Sequence, residues 1–152
     1  MPSNRAKSTA KPLHTPSGVV FTLASAEHAL VLVRRIVADI VTRQRAIQAL
    51  KQRRDGLTAT LDDAGAQDEV RAELTQALRE LNRLHQELVD IGCVLRDWKT
   101  GQVDFPSVFE GRRVYLCWRA GEAGITHWHE EDDGNCDRKR IDERFRADPA
   151  QG

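Results

Sequence analysis

The feature that most constrains this chain is a change of hydrophobic period at Gly92. Before it, apolar residues recur at three- and four-residue steps; after it, they alternate in twos, so helices must give way to strands. From Leu23 to about Lys51 the apolar positions are Ala26, Leu30, Val33, Val37, Ile40, Val41, Ile47 and Leu50, with Arg34, Arg35, Asp39, Arg43 and Arg45 between them. That spacing predicts a long amphipathic helix. Thr22 is its N-cap candidate, although Ser25 stands where a capping box would carry Glu or Gln. Gly56 and Asp62-Asp63-Ala64-Gly65 interrupt the pattern, while Leu57 and Leu61 could carry a weakened helix to the second break. A second helix is expected from near Gln67 to Ile91, its apolar side formed by Val70, Leu74, Leu78, Leu81, Leu84, Leu88 and Ile91. Asp68 and Glu69 would face its positive end, and Gly92 supplies the stop.

Two long helices with a short polar connection pack most simply as an antiparallel hairpin. Two helices cannot enclose a core, so their remaining apolar surface must meet the C-terminal segment or a second copy of the chain. A homodimer is therefore the expected partnership. After Gly92, Cys93 to Arg96 and Gln102 to Phe105 are β-prone around the turn Trp98-Lys99-Thr100-Gly101, with Pro106 expected to end the second strand. Arg112 to Arg119 alternates, with Val114, Leu116 and Trp118 on one face and Tyr115, Cys117 and Arg119 on the other. A further strand is expected within Ile125 to Glu130. The fold class is thus α+β, a long antiparallel helical hairpin followed by a small antiparallel β-meander of about three to four strands. Residues 1–18 are expected as a flexible tail, 19–141 as a single domain, and 142–152 as a second flexible tail after opposed acidic and basic blocks.

Composition narrows the function classes. At 152 residues one domain can bury a real core without staples. Lys plus Arg (23) balances Asp plus Glu (23), so no global field steers the chain to nucleic acid. The apolar runs are far shorter than the roughly 20 residues of a membrane span. The first 18 residues lack a secretory apolar region, and three cysteines without a C-x-x-C pair suit a reducing compartment, so a cytoplasmic location is expected. There is no phosphate-binding loop, no dinucleotide-type glycine cluster and no nucleophile elbow.

Several segments are together distinctive: Gly101-Gln102-Val103-Asp104-Phe105-Pro106, then Val114-Tyr115-Leu116-Cys117-Trp118-Arg119 and Gly121-Glu122, then Trp128-His129. With Phe21-Thr22, Ala26 and Val33-Arg34-Arg35 upstream, they resemble an uncharacterised bacterial family, the domain-of-unknown-function family numbered 2203. The resemblance runs from Phe21 to about Ile141 and implies no activity. The chain lacks the acidic residue near Ser25 and the proline near Val31 that are common in that family.

The densest chemistry lies between Asp104 and Glu130. His127 and His129 are two apart, so in a strand both imidazoles project to one face. With Glu122, and with Asp104 and Cys117 in reserve, they form a candidate set for a divalent transition metal, Zn, Fe, Mn or Ni. The structural alternative places Trp128 in the core with both histidines wet, Asp104 as a turn acceptor and Glu122 as an ion-pair partner of Arg119 or Arg113. The resemblance points to His129 more than to His127, and His129 alone would suit a general acid-base role or a hydrogen bond to Glu122. Cys117, inside an alternating strand, reads more readily as an inert buried thiol than as a nucleophile. Two functions are therefore expected in competition: a small metal-binding protein, or a non-enzymatic interaction or regulatory module that associates through its hairpin.

Overall fold

A computed structural model describes residues 18–57, 63–131 and 137–152. The expected tail up to position 17, Leu61, the acidic run Asp132-Asp133-Gly134 and Cys136 lie outside these residues. Helix α1 spans Leu23–Gly56 and α2 spans Ala64–Ile91. Five strands follow, β1 (Val94–Asp97), β2 (Gln102–Phe109), β3 (Arg112–Arg119), β4 (His127–Glu130) and β5 (Lys139–Arg140), joined in that spatial order as an antiparallel meander. The architecture is α+β, a helical hairpin followed by a β-meander, with one more strand than the period alone suggested.

The N-terminus of α1 is capped by the expected Thr22, whose Oγ1 accepts from the Ser25 N–H at 3.0 Å. Ser25 closes the box reciprocally, its Oγ accepting from the Thr22 N–H at 2.9 Å. A serine hydroxyl thus does the work of the expected Glu or Gln side chain. At the other end of the hairpin, α2 begins three residues earlier than expected, at Ala64, so Asp68 and Glu69 fall beyond its first turn. Gly92 ends it at φ 105°, in the left-handed region where a glycine carries no Cβ penalty.

The facing stripes are Leu30, Val33, Val37, Ile40 and Ile47 on α1 and Val70, Leu74, Leu81, Leu84 and Leu88 on α2, all buried. The sheet supplies the third side through Val103, Phe105, Val114, Leu116, Trp118 and Trp128. Gly101, at φ +74°, is where the sheet meets α1: a Cβ there would lie 2.7 Å from Val37 Cγ1 and 2.9 Å from Ala120 Cβ. Only the absence of that carbon lets the β1–β2 turn sit so close. Leu78, expected on the apolar side of α2, is instead 48% exposed. Val31 and Leu32 are also exposed on α1. No helix of the described residues is long and apolar enough to cross a membrane.

Two expectations are corrected here. Strand β2 does not end at Pro106 but runs through it to Phe109, with Pro106 opposite Tyr115. In a strand the N–H and C=O of one residue point to the same side, and the Pro106 carbonyl accepts from the Phe21 N–H at 2.7 Å on the side away from β3. Its missing N–H therefore costs the β2–β3 ladder nothing, and β1 is too short to reach it. Residues 142–152, expected as a flexible tail, fold onto the domain through the short helix α3 (Glu143–Arg146) and a 3₁₀ turn over Pro149–Gln151. Phe145 is fully buried against Phe109 and Trp128. Gln151 accepts from the Leu23 N–H at 2.8 Å and donates to Ser107 Oγ and to the Val108 carbonyl.

Candidate metal centre

Alternation gives the sheet two faces. One carries Val103, Phe105, Val114, Leu116 and Trp128 toward the helices; the other carries Asp104, Tyr115, Cys117, His127 and His129. Asp104, Tyr115, Cys117 and His129 are each no more than 1% exposed, so the centre of the second face is as buried as the first but is polar. Register sets the rows. Asp104 pairs Cys117, which pairs His127, while Tyr115 pairs His129. Along these rows and their diagonals, one ligand atom from each of Asp104, Cys117 and His129 comes within 4.8 Å of the others.

His129 is held from both ends. Its Nδ1–H donates to the Glu130 carbonyl at 2.9 Å, and its Nε2 lies 2.8 Å from Asp104 Oδ2. The same Asp104 oxygen accepts from Arg96 Nε at 2.5 Å. Burial pulls the His129 pKa down, but the hydrogen bond and charge of Asp104 and the Glu130 carbonyl outweigh it, so the net shift is upward. Asp104 thus favours the protonated ring of His129, with Arg96 as a cation at the rim. Burial, and then the negative charge of Asp104, push the Cys117 thiol up to about 12, so without a metal it stays protonated. Tyr115 stacks beside His129 with ring centroids 5.4 Å apart, and the Arg96 guanidinium lies 5.0 Å from the Tyr115 ring centre.

The remaining sequence candidates are placed elsewhere. His127 shares the face with His129, as their spacing required, but its Nδ1 turns to Thr126 Oγ1 at 2.8 Å and lies 3.9 Å from Glu122 Oε2. Glu122 is neither a partner of His129 nor part of the buried group. Its Oε1 accepts from the Arg119 N–H at 2.7 Å and from Arg138 at 2.5 Å, which fixes the turn before β4. The structural alternative is corrected on one histidine: Trp128 is buried as expected, but His129 is not wet. Asp104 is an ion-pair acceptor inside the sheet rather than a turn acceptor. On the helices, His85 packs against Trp98 and His28 is exposed.

Arg96, Tyr115 and Arg138 surround the group and were not singled out by the sequence. Tyr115 carried a signal, since alternation along β3 puts it on the same face as Cys117, whereas the register shift between Leu95 and Asp97 hides Arg96 from such a reading. Arg138 lay hidden in a basic run, and only the fold shows it reaching Glu122, with its charge acting on the Cys117 thiol. Three buried side-chain atoms of the described residues have no hydrogen-bond partner: Asp104 Oδ1, Tyr115 OH and Arg138 Nε. All three belong to this one cluster of side chains.

The family model described as "Uncharacterized conserved protein (DUF2203)" matches residues 19–141. The chain belongs to that family. No curated protein and no solved structure matches it.

Proposed function

With membership in the DUF2203 family as the premise, we propose that this chain is a metal-binding protein in which Asp104, Cys117 and His129 hold a divalent transition ion. The observation that carries this reading is the orphaned Asp104 Oδ1, fully buried beside a thiol and an imidazole with ligand atoms in mutual reach. A buried carboxylate oxygen without a partner is costly, and a cation is the partner that a thiol and an imidazole nitrogen would share with it. The surroundings support it. Metal-binding histidines commonly donate their other ring N–H to a carbonyl, as His129 Nδ1 does to Glu130. The second Asp104 oxygen is already taken by Arg96 and His129, which leaves Oδ1 as the ligand.

A mixed N, O and S set with a thiolate favours zinc or iron(II) over the harder manganese(II). Binding would require Cys117 and His129 Nε2 to release their protons, so uptake competes with acid. Elemental analysis by plasma mass spectrometry of untagged protein, reconstituted with zinc, iron(II), manganese(II) or nickel(II), tests the reading. The expected result is near-stoichiometric zinc or iron, lost in Cys117→Ser/His129→Gln and retained in Glu122→Gln/His127→Ala. Background metal in the wild type, or loss in the Glu122/His127 pair alone, overturns it.

A further inference from the structure

We infer that the metal centre also takes a small carboxylate-type oxyanion, of the size of acetate or bicarbonate, against Arg138 and Tyr115. This rests on the metal reading above and names the ligand class of that same site.

Three protein ligands leave one position short of the four that zinc prefers, the arrangement typical of ions that meet an exogenous ligand. Of the three orphaned buried atoms, Asp104 Oδ1 is assigned to the metal. The other two, Arg138 Nε and the Tyr115 hydroxyl, remain. Both can donate a hydrogen bond, so what satisfies them is an acceptor. The Arg138 NH2 group is anchored by Glu122 and its charge acts on the thiol of Cys117, one of the ligands, so its cationic group is fixed beside the centre. Tyr115 lies across from His129 and two residues from Cys117 on the same face.

Charge at the rim has the matching sign. Arg113, Arg119 and Arg140 occupy register positions of this face and are exposed, and Arg96 and Arg138 flank its buried floor. Against them stand the carboxylates of Asp104, Glu122 and Glu131, the last acting on Tyr115, in a chain whose total charge is zero. Such a rim draws anions inward. The size limit follows from burial and donor number. The floor is closed, and two unpartnered donors match a singly charged oxyanion better than phosphate, which demands more.

The test uses the full chain reconstituted with cobalt(II), whose visible spectrum reports changes in its ligands, with cobalt content measured separately by plasma mass spectrometry. Acetate, bicarbonate and phosphate are titrated at constant ionic strength. The expected result is a saturable spectral change with acetate or bicarbonate, weakened about tenfold or more in Arg138→Gln and in Tyr115→Phe. Tyr115→Phe removes only an unpartnered hydroxyl and should keep full cobalt content. A fully loaded protein whose spectrum does not move means that water satisfies the donors, and this overturns the inference while the metal reading stands. A response to phosphate alone, or variants that titrate like the wild type, overturns it as well. A chain that takes up no cobalt fails on the metal reading, and the inference falls with it.

Discussion

The two faces of the sheet are built from the same alternating strands and are equally buried at their centres, yet they are held together by different physics. Toward the helices, Phe105, Leu116 and Trp118 meet α1 and α2 in a continuous apolar core, where stabilisation grows with the area removed from water. On the other side, one residue along, Asp104 and His129 are equally dry but depend on charge pairing. Breaking a buried ion pair leaves a charge without its partner, whereas breaking apolar packing leaves a cavity. The first face is complete by itself. The second keeps unpartnered atoms, the feature on which the proposed metal site rests.

Substitutions on each face sharpen that contrast. Phe105→Ala should have the largest effect, a loss of about 3–5 kcal/mol in denaturant unfolding, since Phe105 is fully buried and packs edge-on against Phe21. A much smaller loss would mean that the helix-facing layer can collapse around the gap.

Asp104→Asn should cost somewhat less, about 3 kcal/mol in the metal-free protein near neutral pH, because it leaves His129 and Arg96 without their counter-charge. Its signature is in the pH dependence. With its pKa raised in the fold, His129 contributes stability that is fully present below its unfolded pKa and is lost as pH rises through the folded value. Across that window the His129–Asp104 pair should make the measured unfolding free energy fall with rising pH, against the opposite contributions of His85 and His127, whose pKa values are lowered. In Asp104→Asn the fall should disappear, and an unchanged slope would place the responsible proton elsewhere.

Tyr115→Phe should change stability least, within about 0.5 kcal/mol or slightly upward, because the hydroxyl it removes is buried without a partner. A clear destabilisation would show that the hydroxyl is satisfied by ordered water, and would bring the two faces closer in character.

Much of this fold was legible because long periodic runs encode helices and alternation encodes strands. The stripes of α1 and α2 and the limits of β3 follow directly from spacing. Pro106 misled because its effect depends on which side of the strand lacks a neighbour, a tertiary property supplied by Phe21. Residues 142–152 misled because one aromatic, Phe145, and one amide, Gln151, anchor them, and neither makes a periodic signal. At the site, the spacing of His127 and His129 correctly placed both on one face but could not decide which would join the buried group. In a sheet that choice belongs to cross-strand register and to the turn of each ring, and Thr126 and Glu122 turn His127 outward.

The hydrogen bond between Gln151 and the first turn of α1 joins positions 128 apart in sequence. During synthesis, which proceeds from the N-terminus, α1 emerges long before the amide that seats its first residue and ties it to β2 exists. Closing so large a loop carries an entropic cost that only a nearly finished structure repays. The C-terminal strap should therefore be among the last parts to settle. A fragment cut at residue 141, where the family match stops, would leave the hollow filled by Phe145 open to water and its sheet prone to sticking.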